Sequence, residues 1–254
     1  MFPLYDDNPT EILPLVTLLI MGICIGVWIL AQGGGFSDPA LTASVCALGT
    51  IPAEITGQLA GELLYPGGTP CRLGGLTWPT MITSMFLHGS WMHLIGNLWF
   101  LWIFGNNVED SMGHGRFLAF YLLTGLAASG SHIAADPASP IPMVGASGAI
   151  SAIMGAYLVL YPKARVYTLF IIIILIRVFP IPAWFFLLYW FSLQVAFSNM
   201  ELSGGGGGVA FWAHIGGFAA GVALVKLFQN RVLVRAKRSG IRVSRRELKG
   251  GGWW

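Results

Sequence analysis

Charge is what this chain has least of. Of its 254 residues only 10% are Asp, Glu, Lys or Arg, and 55% are hydrophobic, whereas soluble domains carry about 25% charged residues. That balance excludes an ordinary water-soluble globule and predicts a polytopic membrane protein held together by helix packing in lipid. Cysteine is also scarce. Cys24 lies in the first apolar segment and reads as a small packing residue. Cys46 and Cys71 share one long loop, where a disulfide and two free thiols both remain open. A His-Glu-x-x-His signature is absent, and no carboxylate falls inside an apolar span, so a zinc site built from His88, His93 and His214 is the weaker rival and no metal or other cofactor is expected. The first apolar stretch lacks a basic leader and a small-residue cleavage site and is expected to persist as a helix. Internal repeats and paired broken helices are lacking, which disfavours a transporter.

What is present is a succession of apolar segments near 13–31, 88–108, 117–134, 147–161, 183–198 and 209–228, each read as a crossing given the roughly 20 residues a bilayer requires. They predict one all-α membrane domain over 1–230, a six-helix bundle, followed by a basic tail at 231–254. Residues 166–180 are apolar and β-branched but interrupted by Arg177 and closed by Pro180-Ile181-Pro182. They read as an interfacial or extended connector, with a single kinked crossing over 166–198 as the alternative. The five glycines at 204–208 read as a flexible outer loop. Trp99, Trp102, Trp184, Trp190 and Trp212 read as belt or packing residues.

The net charge of +3 hides an asymmetry: residues from Arg231 onward carry +7 and the rest −4. With both termini inside, thirteen of the fourteen Lys and Arg residues fall at the inner face and only Arg72 lies outside, as the positive-inside rule requires. The tail reads as a solvated cytoplasmic extension touching anionic lipid. Nucleic acid is not expected as a partner, because no aromatic interleaving accompanies the charges.

Two polar side chains stand out inside apolar segments: Ser147 in Gly145-Ala146-Ser147-Gly148 and His214 in Ala213-His214-Ile215-Gly216-Gly217. A hydroxyl and an imidazole in a bilayer cost free energy unless they find partners or do work. Together they are a nucleophile and its base, the minimum for acyl transfer. Ser147 should open its helix, where unpaired backbone N–H groups, its own amide included, suit a developing oxyanion. Gly145 and Gly148 should let backbone or substrate come close. Ala213, Gly217 and Gly221 repeat at four-residue spacing, as do Ser147, Ser151 and Gly155, and two such smooth stripes can pack tightly enough to bring the imidazole to the hydroxyl. Standing alone, each motif is more often helix-packing material; matching depth and stripes reverse that preference. His93 and Asn97 are i, i+4 and share a helix face, from which both can donate to an oxyanion. Interhelical hydrogen bonding is their bland reading. His88, about 140° around from His93 on a helix, is placed at the mouth of the site.

With these groups placed, the chain closely resembles the rhomboid family of intramembrane serine proteases. The resemblance rests on His88-Gly89 with His93 and Asn97, on Phe104-Gly105-Asn106-Asn107-Val108-Glu109-Asp110, on Gly145-Ala146-Ser147-Gly148-Ala149-Ile150 and on Ala213-His214-Ile215-Gly216-Gly217. Tyr161-Pro162-Lys163-Ala164-Arg165 and Pro182-Ala183-Trp184 look like a common bacterial-type branch, and the match covers roughly residues 79–227. The resemblance implies a six-helix rhomboid-like bundle in a bacterial-type plasma (inner) membrane, with a water-filled site opening outward. It implies Ser147 as nucleophile, His214 as base, and His93, Asn97 and the Ser147 amide as oxyanion donors. The partners implied are transmembrane-helix or membrane-anchored polypeptide substrates and the bilayer itself; the sequence carries no signal for an oligomeric state. Two departures are visible: Ser151 stands where some relatives place a tyrosine against the histidine, and the first loop lacks the Trp-Arg pair of other members. A non-catalytic relative that binds membrane clients is the alternative; such relatives lose the serine or histidine that this chain keeps.

Overall fold

In the computed structural model, residues 1–64, 70–73, 77–172, 175–202 and 210–239 are described. An amino-terminal strand, β1 (Phe2–Asp6), precedes α1 (Leu15–Leu30). In the long loop that follows, α2 (Asp38–Leu48) is joined by a Cys46–Cys71 disulfide, Cα to Cα 5.6 Å, to the hairpin of β2 (Gly61–Leu64) and β3 (Pro70–Leu73). The long loop that Cys46 and Cys71 share is therefore a stapled structure. It reaches the site, because Thr50 exchanges both backbone hydrogen bonds with Met143, just ahead of Ser147.

The next helix, α3, runs from Trp91–Phe100 through a π-helical turn (Leu101–Gly105) into Asn106–Met112. It starts later and ends later than the span expected at 88–108. Only Gly113, with φ +80°, separates it from α4 (His114–Ala135), so the turn expected at 109–116 is mostly helix. Consequently Glu109 and Asp110 lie buried near the carboxyl-terminal end of α3 rather than in solvent. Their charges are offset by backbone. Val16 and Thr17 N–H groups donate to Glu109 at 2.9 and 2.8 Å, the Thr17 hydroxyl donates at 2.7 Å, and Glu11 and Ile12 N–H groups donate to Asp110. A carboxylate at the start of α1 satisfies amides that the helix itself cannot pair.

Helix α5 (Ser147–Leu160) is the centre of the bundle: every residue from Gly148 to Tyr157 is buried. Beyond it β4 (Arg165–Ile172) and β5 (Leu175–Pro182) form an antiparallel hairpin, with β1 added to β4 in the order β1-β4-β5. The extended reading holds for the described residues 166–172 and 175–180, and a single kinked helical crossing is ruled out there. The pairing of β1 with β4, seen in the Tyr5–Tyr167 stack at 4.6 Å, has no local sequence signal. Helix α6 (Ala183–Leu202) begins at the end of the hairpin, and α7 (Phe211–Phe228) packs on α5; the glycines at 204–208 lie outside the described residues.

The small-residue stripes meet as expected. A β-carbon at Gly217 would stand 2.1 Å from the Gly148 carbonyl oxygen, and one at Gly221 would stand 2.0 Å from that of Ala152. Gly155 faces Phe218 in the same way, and Gly148 faces Ala128 of α4. By length and composition α4 and α7 can each cross a bilayer, and α1, α5 and Ala183–Ser198 are shorter apolar helices. The protein is a mostly helical membrane protein, with two small sheets among the described residues.

The start of the tail keeps Arg231 and Arg235 exposed but packs another face on the bundle. Its first part is α8 (Arg231–Arg238), whose Lys237 ammonium donates to Asn107 at 3.1 Å and Asp110 at 2.8 Å and sits over the Tyr161 ring. Residues 240–254 lie outside the described part.

Candidate active site

Ser147 is the first residue of α5, and the chain reaches it through Gly145, whose φ of +123° is a conformation L side chains rarely adopt. The absent side chain also makes room. A β-carbon at Gly145 would lie 2.6 Å from His93 Nε2 and 3.5 Å from Asn97 Nδ2. Both side chains of the α3 face therefore converge on the backbone two residues before Ser147.

Each carries a nitrogen donor on the Gly145 side. Ser90 caps α3, its hydroxyl accepting from the His93 N–H at 3.1 Å. The Gly89 N–H approaches His93 Nδ1 at 3.4 Å, which leaves the ring proton on Nε2, the nitrogen facing Gly145. Asn97 is 7% exposed and its Nδ2 is buried without a partner among the described residues. Buried donors of this kind call for an explanation, and an acceptor that arrives only during a reaction is one.

His214, in the first turn of α7, brings Nε2 to 2.8 Å from Ser147 Oγ. Both residues are half-buried, so the pair is reachable from outside the bundle. With Nε2 unprotonated, the hydroxyl donates and the imidazole is poised to take its proton.

Sequence reasoning misplaces one residue and misses two. His88 is not on the α3 face and not at a mouth: it lies in the turn before Ser90 and is fully buried. Gln32 clasps its backbone, accepting from the His88 N–H at 2.9 Å and donating to its carbonyl at 2.7 Å, while its ring meets that of His93 edge-on at 5.2 Å. His88 thus supports His93 from behind. The second missed residue is Gln194 of α6, whose Oε1 lies 2.8 Å from His214 Nδ1. Its signal was available: a long polar side chain in an otherwise apolar segment is suspect by the rule that singled out Ser147 and His214. Ser151, in the position some relatives give to tyrosine, turns its hydroxyl back onto the Ser147 carbonyl at 2.7 Å. The wall against the imidazole comes instead from Trp190 and Phe211, with ring centroids 5.9 and 6.3 Å away.

Gly145, Gly148, Gly217 and Gly221 all sit at close backbone or side-chain approaches. Among the described residues no group of three or more His, Cys, Asp or Glu side chains converges as a metal site would.

Known proteins resemble this chain over the part that holds these residues. The chain is 36% identical over 153 residues to "Rhomboid protease GluP" of Bacillus subtilis, covering 58% of this chain and 26% of that protein. It is 31% identical over 149 residues to "Rhomboid protein 1, mitochondrial" of Saccharomyces cerevisiae, covering 56% and 40%. It is 31% identical over 173 residues to "RHOMBOID-like protein 12, mitochondrial" of Arabidopsis thaliana, covering 60% and 47%. The matches thus span between about a quarter and a half of these relatives' own lengths. The family model described as Rhomboid domain matches residues 76–231, more than half of the chain and the whole of the Ser147–His214 arrangement, and the chain belongs to the rhomboid family.

Proposed function

We propose that this chain is an intramembrane serine endopeptidase that cleaves transmembrane or membrane-anchored polypeptides near the outer face of the bilayer. The observation that carries the reading is the 2.8 Å contact between Ser147 Oγ and His214 Nε2. Ser147 Oγ attacks the scissile carbonyl carbon as its proton passes to His214 Nε2. The oxyanion is held by His93 Nε2, Asn97 Nδ2 and the Ser147 amide, and the imidazolium then protonates the leaving amine. Water activated by the same imidazole releases the acyl group. A non-catalytic client-binding role is disfavoured, because a binding surface has no need of a hydroxyl hydrogen-bonded to an imidazole beside two convergent donors.

The test separates base from donor. In purified protein His214→Ala should no longer react with a fluorophosphonate, since nothing else activates Ser147. Asn97→Ala removes one of three donors and should react more slowly by a factor on the order of 10² to 10³. Wild-type labelling in both variants would leave these residues as packing only.

For the whole chain we propose six crossings in a bacterial-type inner membrane, both termini cytoplasmic and the site opening outward. The distribution of Lys and Arg supports this, as does a disulfide in the loop above Ser147, since disulfides persist in oxidising compartments. In intact cells an impermeant phosphine followed by an impermeant maleimide should label Cys46 and Cys71. A cysteine at Arg235 should react only after permeabilisation. Labelling of Arg235→Cys in intact cells would reverse the orientation.

A further inference from the structure

We infer that Gln194 is a positioning residue for His214, holding the imidazole in the tautomer whose Nε2 can accept the Ser147 proton; the inference rests on the proteolytic reading above. A neutral imidazole carries one N–H, and whichever nitrogen carries it cannot be the base. For Nε2 to accept from Ser147, the proton must reside on Nδ1, and in a bundle interior that N–H needs an acceptor. In serine hydrolases with a triad the acceptor is a carboxylate. Among the described residues no carboxylate bonds His214; the group at Nδ1 is the Gln194 side-chain oxygen, 2.8 Å away.

An amide can present either end, and the wrong end would disable the site. Were the Gln194 NH₂ turned toward Nδ1, that nitrogen would have to accept, the ring proton would move to Nε2, and Ser147 would face a donor. The other end of the amide decides the matter: Gln194 Nε2 lies 3.5 Å from the Trp190 carbonyl oxygen one turn earlier in α6, a contact only the NH₂ can make. With the nitrogen so occupied, the oxygen faces the histidine. Gln194 is 8% exposed, so water competes little for either end. Trp190 also lays its ring against the imidazole. One turn of α6 thus supplies both the wall of the ring and the acceptor for its proton, taking over what Ser151 does not provide. An uncharged acceptor differs from a carboxylate in one measurable respect: it sets the tautomer without strongly stabilising the imidazolium.

That difference is the test. The full chain is purified in detergent and fluorophosphonate labelling is followed across the pH range of histidine titration. Gln194→Leu leaves the Nδ1 proton unpaired and frees the tautomer; labelling at the optimum should slow by on the order of 10- to 100-fold, less than the 10⁴ seen when a buried carboxylate is neutralised in a triad. Gln194→Glu keeps an acceptor and adds charge, so the imidazolium is favoured and the base becomes available only at higher pH. The acid limb should move upward by about one pH unit or more. The other titratable groups facing His214, His93 on α3 and His132 on α4, are the same in every variant. Wild-type labelling by Gln194→Leu, or an unmoved acid limb in Gln194→Glu, overturns the inference. If the leucine variant does not fold, the glutamate variant decides alone. Ser147→Ala is run in parallel: if it labels, the proteolytic reading itself has failed, whereas a silent Ser147→Ala beside an unaffected Gln194→Leu refutes only the role of Gln194.

Discussion

Replacing Ser147 with alanine is expected to reduce cleavage of a membrane-anchored substrate to background, a loss on the order of 10⁴- to 10⁶-fold, with the protein still folded. The chemical half of this follows from the site: no other hydroxyl is hydrogen-bonded to His214 among the described residues, so removing Oγ leaves the base with nothing to deprotonate. The structural half follows from packing. Ser147 is half-buried at the start of α5, its side chain caps no helix, and alanine fits a stripe already built of small residues. Loss of one part-buried hydrogen bond should cost about 1 kcal/mol. Cleavage of a transmembrane substrate followed on gels, beside a thermal melt in detergent, checks both halves. Cleavage within tenfold of wild type would end the serine mechanism, and a collapsed melt would mean that Ser147 is structural.

Gly221→Val should do the opposite, destroying the fold and only thereby the activity. At this position the α5 and α7 backbones touch: a β-carbon would stand 2.0 Å from the Ala152 carbonyl oxygen and 2.6 Å from its carbon. These are backbone atoms of the buried stretch of α5 and cannot swing aside as a side-chain end could, so the helices must part. Parting them opens the seam that also carries Gly217 against Gly148 and holds His214 near Ser147. The expected cost is about 3 kcal/mol or more, the upper part of the range for overpacked cores. Gly130→Ala on α4 is the control. Nothing lies within 4 Å of a β-carbon there, and the change should stay within roughly 0.5 kcal/mol of wild type. A Gly221→Val protein that melts like Gly130→Ala would mean that the tight contact of α5 and α7 is not what holds the bundle.

The residues of the seam and the Ser147–His214 pair were legible because their signals are local and periodic. Small residues every fourth position mark one helix face whatever lies opposite, and a histidine or serine in an apolar run is conspicuous against lipid. The extended stretch at 166–180 was legible for a similar reason: β-branched residues closed by two prolines resist a helix. His88 was not, since its place depends on where α3 starts, and a serine cap at Ser90 with its bond to the His93 amide moved that start past it.

By itself, then, the sequence determined that this is a helical membrane protein and singled out Ser147, His214, His93 and Asn97, which the fold brings together, because hydropathy and helical period act over a few residues. Only the tertiary structure decided that Glu109 and Asp110 are buried against the start of α1, that β1 extends the β4–β5 hairpin, that Lys237 returns to Asp110, and that Gln194 faces His214. Each of these joins groups from separate elements of the chain. A buried charge or a ring nitrogen needs a partner, but its own neighbourhood in sequence does not say which distant residue will supply it.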